Sequence, residues 1–136
     1  MKFLLDTNVC IRFLNGRNPS IRQRMGKHQQ ADILLCSVVK AELLLGVAKS
    51  ENPEGRLKKL NPFLDRFASL PFDDSAAASY AEIRSDLERS GTPIGPNDLL
   101  IASIAVANQL ILVTHNVREF ARVDGLTIED WEDSAE

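Results

Sequence analysis

Residues 3–14 read FLLDTNVCIRFL. An apolar triplet, Phe3-Leu4-Leu5, stops abruptly at Asp6. Asp6-Thr7-Asn8 then supplies residue types that start helices, and the apolar period from Val9 to Leu14 continues as a helix until Asn15-Gly16 ends it. A short buried strand that turns at once into a helix is the unit of a parallel sheet. The rest of the chain repeats this alternation. Ile33–Cys36 is a second strand, and Ser37 is the expected N-cap of a helix to about Lys49. Pro19-Ser20 opens a short helix to about His28. Another helix begins at Asn52-Pro53 and steps through Leu57, Leu60, Leu64 and Phe67, with a kink or break expected at Pro62. Leu70-Pro71-Phe72 reads as a poor edge strand. Asp74 or Ser75 is expected to cap a long helix ending at Ser90-Gly91, with Ala76, Tyr80, Ile83 and Leu87 as its stripe. After the loop Thr92–Pro96, Asn97 or Asp98 is expected to cap a helix from Leu99 to Asn108 that is apolar almost all round. Leu110–Val113 and Leu126–Ile128 complete the strands. Strands separated by helices imply right-handed crossovers and a mostly parallel α/β sheet covered on both faces.

The chain has 136 residues, 44% hydrophobic and 26% charged, with net charge −3. That composition fits one domain with a real core and excludes a disordered or disulfide-built chain. A single domain over residues 1–132 is expected, followed by an acidic tail, 133–136, that frays. No apolar run reaches the about 18 residues needed to span a bilayer. MKFLLD is charged too soon for a secretory signal, so a cytoplasmic location is expected. Cys10 and Cys36 form no CxxC pair and read as buried, reduced thiols. With His28 and His115 they have no zinc-site spacing. Charge is uneven. Residues 1–66 hold twelve Lys and Arg against six Asp and Glu, and residues 67–136 hold four against thirteen. Arg12, Arg17, Arg22, Arg24 and Lys27 crowd one segment, which suits either a solvated helical face or a grip on a phosphate backbone.

In a parallel sheet, ligands bind beyond the carboxyl ends of the strands. Asp6 follows the first strand. Glu42 lies in the second turn of the helix after the second, on a face shared with Val38 and Leu45. Asp98 opens the buried helix, and Thr114-His115-Asn116 follows the fourth strand with Glu119 one turn on. Asp6 and Asp98 also suit plain N-caps. A carboxylate on an apolar stripe, however, needs a partner, and clustered carboxylates repel unless a cation joins them. All-oxygen ligands select Mg²⁺ or Mn²⁺, which can activate water against a phosphodiester.

The blocks FLLDTNVCIRFL, SVVKAELLLGV, PIGPNDLLIASIA and LILVTHNVREFARVDGLTIEDW, in that order from Phe3 to Trp131, resemble the PIN-domain ribonucleases, and among them the VapC toxins of bacterial toxin–antitoxin pairs. PIGPND and the last block are similar to the subgroup that cuts initiator tRNA in its anticodon stem-loop. The resemblance implies a five-stranded parallel sheet of order 3-2-1-4-5 in a three-layer sandwich. It implies a Mg²⁺- or Mn²⁺-dependent endoribonuclease leaving 5′-phosphate and 3′-hydroxyl ends. Asp6, Glu42 and Asp98 would be the acidic triad, with Asp6 and Asp98 the direct metal ligands and Glu42 binding directly or through water. Thr114 and Asn116 fall on the family's Thr-x-Asp block with the aspartate replaced. Glu119 could supply the missing charge or serve only as a helix-cap residue. Arg12, Arg17, Arg22, Arg24, Lys27 and Thr114 would meet RNA. A VapB-type antitoxin and a homodimer are implied partners, for which exposed Ile11, Leu14 and Leu57 are suited. The rival reading is a catalytically silent PIN-fold module that binds RNA or a partner. An aspartyl-phosphate phosphatase would want a second aspartate where Asn8 stands. A dinucleotide enzyme would want GxGxxG after the first strand.

Overall fold

A computed structural model describes residues 1–132. The tail expected to fray, residues 133–136, lies outside the described residues. Five parallel strands are β1 (Phe3–Leu5), β2 (Ile33–Cys36), β3 (Ser69–Leu70), β4 (Ile111–Val113) and β5 (Thr127–Glu129), in the order β3-β2-β1-β4-β5. The helices are α1 (Thr7–Asn15), α2 (Pro19–Gly26), α3 (Ser37–Ala48), α4 (Pro53–Arg66), α5 (Asp74–Ser90), α6 (Pro96–Ala107) and α7 (Val117–Phe120). A 3₁₀ turn, Gln30–Asp32, leads into β2.

Every residue of β1, β2 and β4 is buried. Successive strand side chains point to opposite faces, so both faces of the central sheet are covered, as continuous apolar strands demand. Leu4, Leu35 and Leu112 are wholly buried, each stabilising the fold by about 2 kcal/mol over an exposed position. Helix α6 is buried at Leu99 and from Ile101 to Ala105, as its all-round apolarity requires. Trp131 closes the core behind β1: its ring stacks on His28 at 5.3 Å and meets Phe3 at 5.2 Å. No helix among the described residues is long and apolar enough to cross a membrane.

Several boundaries differ from the sequence expectation. Ser37 is the first residue of α3, and Cys36 precedes it as N-cap without a side-chain bond. Helix α4 runs unbroken through Pro62. Pro62 and Lys58, whose carbonyl loses its donor, are both exposed, so water replaces the missing bond. Strand β3 ends at Leu70, before Pro71, on the sheet edge. Asp73, one residue earlier than expected, caps α5 through Ala76 N–H at 3.0 Å. Helix α6 starts at Pro96 with Gly95 as N-cap, so neither Asn97 nor Asp98 caps it. Strand β5 is shifted by one residue to Thr127–Glu129. On α3 the buried positions are Val39 and Leu43, while Leu45 is 52% exposed. Glu42 therefore flanks the apolar face instead of lying on a Val38–Leu45 stripe.

Candidate active site

The strand register places the chemistry. Leu5 pairs with Val113, and Val113 with Glu129. The ladder continues one step further, since Asp6 N–H donates to the Val113 carbonyl at 3.0 Å and Thr114 N–H to the Glu129 carbonyl at 3.0 Å. Asp6 and Thr114 thus sit side by side at the carboxyl edge of the sheet, with their side chains joined: Thr114 Oγ1 donates to Asp6 Oδ2 at 2.6 Å. The other oxygen, Oδ1, accepts Asn8 N–H at 3.3 Å and caps α1. Asp6 is an N-cap and a cleft carboxylate at once. Burial is the largest influence on it and raises its pKa. The nearby Glu42 pushes the same way, and the hydrogen bonds from Thr114 and Asn8 oppose them.

Asp98 lies in the first turn of α6, released from capping by Gly95. Its pKa is pushed up to about 7, first by burial and then by the charges of Glu119, Asp6 and Glu42. These four carboxylates therefore feel one another across the cleft, although they come from four separate segments. Glu42 Oε1 accepts the Thr7 hydroxyl at 2.6 Å, and Oε2 takes a longer bond from Asn97 Nδ2 at 3.4 Å. Glu119 Oε1 accepts Gly95 N–H at 2.7 Å and Oε2 accepts Asn116 Nδ2 at 2.5 Å. A Cβ built on Gly95 would lie 3.4 Å from Asp98 Oδ2 and 3.7 Å from Glu119 Oε1. The loop backbone therefore passes within ordinary contact distance of both acids. Arg122 Nη1 holds the same loop by the Pro93 carbonyl at 2.9 Å.

Among the described residues no lysine or arginine forms an ion pair with Asp6, Glu42, Asp98 or Glu119. Like charges at such a site repel, yet Asp98 and Glu119 share a side-chain hydrogen bond; no three acidic, histidine or cysteine side chains among those residues lie close enough to hold an ion as they stand. The donor set is all oxygen and anionic, which fits a hard divalent cation and not zinc or copper. Cys10 and Cys36 are buried and unpaired.

The remaining expected site residues are placed differently. Thr114, expected at the RNA surface, is fully buried beneath Asp6. Arg12 is half-exposed and paired with Glu132 at 3.2 Å. His115 Nδ1 bonds Asp130 Oδ2 at 2.9 Å. Arg17, Arg22 and Lys27 are exposed around α2, and Arg24 is half-buried there. Sequence reasoning overlooked Thr7, Gly95 and Asn97 as partners of the acids. It also overlooked Arg56 and Lys59, which line a groove of about 410 Å³ with Ile11, Leu14, Leu60 and Glu42. The run Arg56–Lys59 held the signal for the last two.

The PIN domain family model matches residues 3–126. The tRNA(fMet)-specific endonuclease VapC of Shigella flexneri is 42% identical over 131 residues, 96% of this chain and 98% of that one. Among solved structures, DNA-bound VapBC from Salmonella typhimurium superposes with a TM-score of 0.91 at 40% identity, covering 96% of this chain and 98% of the matched one. VapBC2 from Rickettsia felis, bound to a DNA fragment from its promoter, gives 0.89 at 39% identity, with coverage of 96% and 99%.

Proposed function

The chain belongs to the PIN-domain family, and from that premise we propose that it is the toxin of a VapBC-type pair, a divalent-metal-dependent endoribonuclease that cuts initiator tRNA in its anticodon stem-loop. One observation carries the reading: Asp6, Glu42, Asp98 and Glu119 crowd one edge of the sheet, and their mutual repulsion helps to drive Asp98 up to about 7. Negative charge concentrated without a paired cation is costly to the fold and is relieved by a bound ion. The similarity to tRNA(fMet)-specific VapC over nearly the whole chain supports the substrate.

Asp6 and Asp98 would hold the ion, Mg²⁺ or Mn²⁺, with Glu42 beside them directly or through water. When bound, such an ion would supply water activation and charge neutralisation at the phosphodiester. Thr114 keeps Asp6 oriented and Asn8 N–H fixes its second oxygen. Glu119, steadied by Gly95 and Asn116, adds the negative charge that Asn116 lacks. Arg17, Arg22, Arg24 and Lys27 grip the RNA backbone, a contact that weakens with salt. Arg12 contributes less because Glu132 already neutralises it. The antitoxin arm occupies the groove of Ile11, Leu14 and Leu60, whose basic rim is Arg56 and Lys59.

The test incubates the purified chain with initiator tRNA and elongator tRNAs, with Mg²⁺ or Mn²⁺ and with EDTA, and maps the new 5′ ends. A single metal-dependent cut in the anticodon loop of initiator tRNA, lost in Asp6→Asn, is expected. Cuts scattered over all tRNAs would reject the substrate, and no cleavage by the unmutated chain would reject the enzyme.

A further inference from the structure

Thr7 is a buried polar residue with one described side-chain partner. It is the first residue of α1 and only 9% exposed. Its hydroxyl does not cap its own helix, because Asp6 does that. It reaches across to α3 and donates to Glu42 Oε1 at 2.6 Å, 35 residues away. That length lies within the 2.5–2.7 Å range typical of a hydroxyl bound to a carboxylate. A buried hydroxyl is costly unless it is bonded, and valine would fill the same space without that cost. Packing alone does not explain threonine here. Glu42 needs such a tether. It stands on the flank of α3 with Leu44 and Leu45 exposed beside it, so apolar packing does not fix its side chain.

We propose that Thr7 is a positioning residue for Glu42: the Thr7–Glu42 bond commits Oε1 and turns Oε2 toward the cleft between Asp6 and Asp98. The inference rests on the metal-dependent reading of the site. Asn97, at 3.4 Å from Oε2, makes only a long contact to that oxygen. The bond also ties the start of α1, where Asp6 sits, to the turn of α3 that carries Glu42, so two acids from distant segments move as one. Partners of this kind around metal-binding carboxylates change affinity by about 10–100-fold when removed.

The experiment measures Mn²⁺ affinity of the full chain by titration calorimetry and by the electron paramagnetic resonance signal of free Mn²⁺, without RNA. Melting temperature in EDTA is recorded beside it. Thr7→Val should weaken Mn²⁺ binding by about tenfold, while Thr7→Ser, which keeps the donor, should stay within about threefold of the parent. If Thr7→Val does not fold, Thr7→Ala takes its place. Equal Mn²⁺ affinity in parent and Thr7→Val overturns the role of Thr7, and so does an equal loss in the serine and valine variants. A parent chain that binds no Mn²⁺ overturns the metal reading itself, a different outcome from either of these.

Discussion

Thr114 and Asp6 are 108 residues apart, yet the threonine hydroxyl donates to the Asp6 carboxylate at 2.6 Å in the interior of the protein. Burial raises the pKa of Asp6 and this bond holds it down. Thr114→Val removes the donor while keeping the volume, so Asp6 should hold its proton to higher pH. The acid limb of the pH–rate profile should move to higher pH, and cleavage at neutral pH should fall by about tenfold. An unmoved acid limb would count against this coupling.

Asp98 ties stability to pH in the metal-free protein. Its ordinary value is 3.8 and its folded value is about 7. Between those values the folded state keeps a proton that the unfolded state has released. Stability from this group is present at low pH and is lost as pH rises through about 7. Asp6, also raised, acts in the same direction. In EDTA the melting temperature should therefore rise as pH falls from 8 to 6. Saturating Mg²⁺ should flatten that dependence, because the ion replaces the protons. Asp98→Asn should raise the EDTA melting temperature at pH 8 while lowering cleavage by about 100-fold or more.

Asn116 donates to Glu119 at 2.5 Å. Asn116→Asp would set two carboxylates in contact. The variant should melt lower than the parent in EDTA and gain more from Mg²⁺ than the parent does. Thermal melts with and without the ion check both shifts.

Trp131 is the only tryptophan and is wholly buried against Phe3 and His28. Trp131→Ala should cost about 3–5 kcal/mol, measured by urea unfolding followed by circular dichroism. A loss under 1 kcal/mol would mean that the residues behind β1 hold without it.

The sheet was legible because β1, β2 and β4 are short apolar runs each stopped by a polar residue, and because β1 to β4 are separated by segments long enough to cross over; β3 and β5 carry no such run. Asp6 was legible from its place between a strand and a helix, and Asp98 from its place in the opening turn of the buried helix. What the sequence concealed was local competition. Ser37 and Asn97 have cap chemistry, but Cys36 and Gly95 already have the extended backbone a cap needs. Pro62 signals a break, but an exposed site lets water take the lost bond. Glu42 is four residues from Val38 and three from Leu45, but the sheet receives Val39 and Leu43. Thr7 looked like a helix starter because its partner, Glu42, is 35 residues downstream, beyond any local pattern.

The strand at the centre of the sheet is the first of the five in chain order, yet β4, its neighbour on one side, is residues 111–113. Asp6 has no Thr114 to lean on until that segment emerges, and Trp131 arrives later still. A nascent chain that has reached Glu42 therefore carries two of the acids without the threonine that orients the first of them.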